Sequence, residues 1–151
     1  MDKYDNYGEL LSGVTALIED DDDIISAMAN TAAAIYNGVS GLNWVGFYRV
    51  KGDVLVLGPF QGKVACTRIA RGRGVCGAAL SAGESLLVPD VHAFPGHIAC
   101  DSASNSEAVV PVRGCEGDIV AVLDIDSPIL DRFAKTDLKF FESVAELFKK
   151  F

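Results

Sequence analysis

Apolar residues recur at helical spacing near both ends of the chain and at strand spacing between them. Leu10, Leu11, Val14, Leu17 and Ile18 form one stripe, which predicts a helix over about 7–19. Asp20 to Asp23 follow, and then Ile24, Ile25, Met28, Ala32, Ile35 and Tyr36 share a second helical face. Carboxylates ahead of a helix cap its first turn and suit its macrodipole, and Gly38 suits its end. The aspartate run lacks the alternating ligands and central glycine of a calcium loop. A last helix is expected over about 136–150, where Leu138, Phe141, Ala145 and Phe148 return at three- and four-residue steps.

The middle of the chain changes period. Leu42 to Val50 is aromatic and β-branched, Lys51-Gly52-Asp53 makes a turn, and Val54 to Leu57 returns as the second arm of a hairpin. Thr67 to Ala70 and Leu86 to Val88 read as short strands, with a small-residue helix over about 74–80 between them. A loop from Pro89 to about Asn105 holds both histidines and Cys100. A second hairpin then pairs Ala108 to Val112 with Ile119 to Ile125. This order predicts an α+β fold: an antiparallel sheet with helices packed on one face and a ligand pocket, covered by the middle loops, on the other.

The bulk properties narrow the class. Half of the 151 residues are apolar, enough for one sizeable core without disulfide staples. Acidic residues outnumber basic ones, 21 to 13, which argues against a nucleic-acid partner. The N-terminal stretch lacks a basic start and an apolar run, and no apolar stretch approaches the roughly 20 residues that span a bilayer. A cytoplasmic protein with no membrane partner is therefore expected.

Cys66, Cys76, Cys100 and Cys115 then point to redox chemistry or metal binding. Their spacing, and that of His92 and His97, matches no paired-ligand zinc knuckle, so no metal is expected. Cys100 lies in a glycine- and proline-containing loop, where an active thiol and a passive one are both at home. Cys66 and Cys76 bracket Arg68, Arg71 and Arg73, cations that either stabilise a thiolate or sit solvated at the surface. In Leu123-Asp124-Ile125-Asp126, strand alternation places both aspartates on one face. Such a pair is either a water-screened strand end or a pocket for an ammonium group, in which one carboxyl keeps its proton and acts as an acid. Trp44 and Tyr48 share a face around Gly46, whose missing side chain leaves a gap for a ligand to approach the backbone; ordinary core packing is the alternative.

Four segments together resemble one family. Asn43-Trp44-Val45-Gly46-Phe47-Tyr48, Gly72-Arg73-Gly74-Val75-Cys76-Gly77, His97 to Glu107 and Val122-Leu123-Asp124-Ile125-Asp126-Ser127 are similar to motifs of the free methionine-R-sulfoxide reductases, enzymes built as stand-alone GAF domains. The resemblance implies a single GAF domain over 1–151 and the reduction of free methionine-R-sulfoxide. It implies that Cys100 is the catalytic cysteine, Cys66 the main resolving cysteine, and Cys76 a third cysteine that resolves in some members. Glu107, Asp124 and Asp126 correspond to carboxylates that bind the amino group and assist the sulfoxide oxygen. Trp44 and Tyr48 correspond to aromatic walls of the substrate pocket. Cys115 has no counterpart. The resemblance further implies no resident cofactor, thioredoxin or another dithiol as external reductant, and a homodimer. The competing expectation is a GAF-type small-molecule sensor, a binding module that needs no cysteine trio.

Overall fold

The computed structural model describes residues 7–97 and 103–151. Its centre is a six-stranded antiparallel sheet in the order β3-β2-β1-β6-β5-β4. The strands are β1 (Trp44–Lys51), β2 (Val54–Gly62), β3 (Arg68–Ala70), β4 (Leu86–Val88), β5 (Ser106–Arg113) and β6 (Ile119–Ser127). The helices are α1 (Tyr7–Glu19), α2 (Ile24–Gly38), α3 (Gly74–Ala82) and α4 (Lys135–Glu146). Short 3-10 turns follow at Val91–Ala93 and Leu147–Lys150. The predicted last helix thus tightens at Leu147 before its end. Among the described residues, no helix is long and apolar enough to cross a membrane.

Strand alternation divides the core in two. Val45 and Phe47 of β1, Ala108, Val110 and Val112 of β5, and Ala121, Leu123 and Ile125 of β6 face α1, α2 and α4. The intervening residues Trp44, Tyr48, Val109 and Val122 face the other way, toward Val75, Cys76, Ala79 and Leu80 of α3. Three helices therefore pack on one face as expected, and α3 joins the middle loops over the opposite face.

The aspartate run works as a cap. The Asp23 side chain accepts from the Ile25 and Ser26 amides at 2.8 and 3.3 Å. The helical stripes are narrower than their apolar residues suggest, for Leu17 and Ile25 point outward at 44% and 42% exposure. Strand β2 runs five residues past its expected end. Gly58 and Pro59 lie within it, where the register passes from Gly46↔Phe60 to Tyr48↔Leu57. The two residues therefore stand opposite Phe47 alone, in a bulge where a missing N–H is tolerated.

One buried ion pair closes the helical layer. Asp137, fully buried in α4, accepts from the Ala134 amide at 2.6 Å and from the Tyr7 hydroxyl. The Arg132 guanidinium lies 3.6 Å away and also donates to the Ser40 carbonyl at 2.8 Å. Burial, then the Asp137 carboxylate, push the Tyr7 hydroxyl far above its ordinary range, so it stays a donor. Removing one partner leaves a buried charge uncompensated, which costs about 3–5 kcal/mol. Asp137→Ala should lower the urea unfolding free energy by about that amount; a loss below about 1 kcal/mol contradicts this account.

Candidate active site

The pocket face of the sheet is built by register. Asp126 lies opposite Trp44 on one side and Glu107 on the other, and Asp124 lies opposite Gly46 and Val109. Three carboxyl groups from β5 and β6 therefore meet beside an aromatic strand. They line a cavity with Trp44, Tyr48, Ala65, Ile69, Ser104 and the first residues of α3. Its empty space, with the open solvent at the mouth included, is about 540 Å³. The screened strand end that the Asp124–Asp126 spacing also allowed is not what forms. Asp124, Glu107 and Asp126 are 5%, 8% and 9% exposed.

Burial dominates their electrostatics. Loss of water raises all three carboxyl groups above the ordinary range. Asp124 moves up to about 7, held down from a higher value by hydrogen bonds from Cys76 and Asp126. Glu107 and Asp126 are pushed well above their usual values by burial and then by the Asp124 charge. Asp126 hydrogen-bonds both neighbours, and these bonds favour its protonated form. The three groups therefore titrate as a unit, each held toward its protonated form by burial. Glu107 Oε2 and Asp124 Oδ1 are buried with no hydrogen-bond partner. Such acceptors call for a cationic donor from a ligand.

The cysteines separate. Cys66 is disulfide-bonded. Cys76 and Cys115 carry free thiols, the first buried and the second exposed. Cys76 stands on the first turn of α3 against Asp124, and burial followed by the three carboxyl groups holds its thiol well above the usual range. It is a neutral S–H donor at neutral pH. Cys100, the expected catalytic cysteine, lies outside the described residues. Of the three arginines near the cysteines, Arg73 lines the cavity. Arg68 turns back to the Thr67 carbonyl, and Arg71 pairs with Asp53 at 3.6 Å.

The aromatic wall is pinned, and here the expectation for Gly46 is corrected. A Cβ at Gly46 meets Phe60 Cβ at 2.4 Å and the Trp44 ring at 2.5 Å. The missing side chain makes room for the indole, not for a ligand. Gly62, at φ +129°, leaves space on the far side, where a Cβ meets the Trp44 ring at 2.6 Å. The Trp44 indole N–H donates to the Lys63 carbonyl at 3.0 Å, and its ring stacks on Phe60 and Tyr48 with centroids 5.2 and 5.8 Å away. The Tyr48 hydroxyl donates to the Cys66 carbonyl at 3.0 Å. Burial, then the nearby Asp124 charge, keeps that hydroxyl protonated.

Several lining residues had no assigned role in the sequence. Ser104 is buried and accepts from the Asn43 amide at 3.1 Å. Arg73 and Gly74 open α3 at the cavity, and the N-cap supplies no side-chain hydrogen bond. His97 lines the cavity too, kept neutral by burial and the neighbouring His92. Asn43, Arg73, His97 and Ser104 all fall inside the four segments quoted above, which was the available signal.

The GAF domain family model matches residues 19–149. The chain is 47% identical to the free methionine-R-sulfoxide reductase of Escherichia coli, covering 91% of this chain and 82% of that protein. It is 40% identical to the free methionine-R-sulfoxide reductase of Saccharomyces cerevisiae, covering 94% and 83%. Among solved structures, free methionine-R-sulfoxide reductase from Neisseria meningitidis in complex with its substrate aligns at a TM-score of 0.94 and 44% identity, covering 99% of this chain and 89% of that one.

Two outcomes follow from the geometry. Because the folded carboxyl groups hold protons more tightly than unfolded ones, the stabilisation this gives is complete below about pH 4 and is lost as pH rises through about 7, where Asp124 ionises. In chelator-treated, ligand-free protein, Asp124→Asn should flatten that decline and raise stability at pH 8 by about 1–3 kcal/mol, read by urea unfolding at pH 5 and pH 8. Equal pH slopes for both proteins contradict the buried-acid assignment. Gly46→Ala should cost about 1–3 kcal/mol through overpacking and shift the Trp44 fluorescence, since the chain has one tryptophan. An unchanged emission spectrum speaks against the pinned indole.

Proposed function

The chain belongs to the GAF-domain family and, within it, to the free methionine-R-sulfoxide reductases, and from that premise we propose how its residues reduce free methionine-R-sulfoxide to methionine. The observation that carries the reading is the buried carboxyl trio with two unpartnered oxygens facing a cavity walled by Trp44 and Tyr48. An α-ammonium group is a cation of the size and donor count that such oxygens need. The N-terminal turn of α3 and Arg73, which line the same cavity, suit the α-carboxylate. A zwitterion satisfies both ends, whereas a methionine sulfoxide inside a polypeptide has neither charge to offer. Leaving the buried oxygens unpaired costs roughly 1–3 kcal/mol or more, which selects the free amino acid.

The aromatic wall holds the side chain and keeps water out, and the acids then supply the proton. Sulfoxide sulfur becomes more electrophilic as its oxygen accepts a proton. Glu107, held neutral by burial, donates to that oxygen while Asp124 holds the ammonium. The Cys100 thiolate attacks sulfur; the oxygen ends on Cys100 as a sulfenic acid, and methionine leaves. The Cys66 thiol then condenses with the sulfenic acid, releasing water and closing a disulfide. Thioredoxin or a similar cytoplasmic dithiol reopens it, itself becoming oxidised. That Cys66 is disulfide-bonded while Cys76 is a buried free thiol supports Cys66 as the resolving cysteine. Cys76 instead acts from the cavity wall, donating its S–H to Asp124.

The direct test is methionine release from free methionine-R-sulfoxide with dithiothreitol, for wild type beside Cys100→Ser and Cys66→Ser. Wild type should turn over, Cys100→Ser should be silent, and Cys66→Ser should lose turnover mainly when thioredoxin replaces the small dithiol. Folded wild-type protein that is inert on both sulfoxide epimers overturns the reading in favour of a ligand-binding sensor. An N-acetylated substrate should lose at least tenfold in kcat/KM; equal efficiency contradicts the ammonium site.

A further inference from the structure

The cavity floor brings together three donors of mixed chemistry. Cys76 comes from α3, Glu107 from β5 and Asp124 from β6, and one ligand atom of each lies within 4.8 Å of the others. Their positions in sequence are far apart, so no local spacing announces the cluster, and the knuckle pattern that excluded zinc in the sequence does not address it. Two further observations point to a ligand. Glu107 and Asp124 are both more than nine-tenths buried. Each also presents an oxygen without a partner to the cavity they line.

Tetrahedral zinc binds thiolate sulfur at about 2.3 Å and carboxylate oxygen at about 2.0–2.2 Å. Its ligand atoms therefore stand roughly 3.3–3.7 Å apart. The three donors need to close by at most about 1.5 Å to reach that geometry. The sulfur decides the ion class: thiolate favours zinc-like cations over magnesium or calcium, which take oxygen donors.

We propose that, when no amino acid occupies the pocket, Cys76, Glu107 and Asp124 bind one thiophilic divalent cation of the zinc class. As the metal–sulfur bond forms, the thiol proton leaves to solvent, along with any proton held by the two carboxyl groups; no atom changes oxidation state. The bound ion neutralises oxygens that otherwise stay buried and unpaired. Because Asp124 is assigned above to the substrate ammonium and Glu107 to the sulfoxide oxygen, the cation excludes substrate and holds the enzyme inactive. That exclusion rests on the functional reading, whereas the binding of the ion does not.

The test uses the whole chain in its disulfide-bonded form, carrying Cys115→Ser to remove the exposed thiol. Cadmium serves as the probe, because its bond to thiolate gives an ultraviolet charge-transfer band, and zinc binding is measured by calorimetry. One ion per chain should bind with the thiolate band present. Cys76→Ser should abolish the band. Glu107→Gln and Asp124→Asn should weaken binding more than about 100-fold, because even outer partners of metal ligands are worth 10–100-fold. Circular dichroism confirms that each variant is folded, and the two carboxyl variants carry the test alone if Cys76→Ser is not. No stoichiometric binding, a band that survives Cys76→Ser, or equal competition by magnesium overturns the proposal. Free methionine should displace the ion; binding that is intact yet indifferent to methionine leaves the metal site standing and sinks the amino-acid pocket instead.

Discussion

Three carboxyl groups share one buried face of a sheet, where the loss of water makes all three harder to ionise. Their placement is a consequence of strand register: Asp126 has Glu107 and Trp44 on either side, and Asp124 has Val109 and Gly46. A one-residue slip between β5 and β6 sends the acids into the helical layer and brings Leu123 and Ile125 to the cavity. The helical layer prevents that slip, because those same two residues fill the core against α1, α2 and α4. Stability on one side of the sheet therefore fixes acidity on the other.

The rest of the site is arranged around this charged floor. Helix α3 delivers the Cys76 thiol to Asp124 and presents its N-terminal turn to the same cavity. Bulky Trp44 is held by small residues, with Gly46 on one side and Gly62 on the other. Such a wall costs little to order on ligand binding, because packing has already fixed the ring. The site is thus destabilised electrostatically when empty and rigid sterically, the combination expected where folding energy is traded for recognition.

Much of this was legible in the chain. Period-2 alternation put Trp44 with Tyr48 and Asp124 with Asp126 on common faces, and the aspartate cap announced α2. Residue identity at special positions was harder to read. Gly46 looked like an opening because sequence shows a missing side chain but not the indole that fills its place. The strand expected over Val54 to Leu57 continues through Gly58 and Pro59 because a bulge depends on the partner strand. The burial of Asp137 carries no local signal, since its partners Tyr7 and Arg132 are remote or unmarked in sequence. The meeting of Cys76 with the acids was equally hidden, because it depends on how α3 lies over the sheet.

The hydrogen bond from Tyr48 to the Cys66 carbonyl joins two parts of the protein usually considered apart. One end is a wall of the ligand cavity, and the other is the backbone of a disulfide-bonded cysteine. Any ligand that prefers one position of Tyr48 also prefers one position of Cys66. Thermodynamic linkage is reciprocal, so a ligand bound more tightly by the dithiol form must shift the reduction potential of the disulfide by the same free energy. Occupancy of the pocket and the readiness of the enzyme to be reduced are then two readings of a single equilibrium.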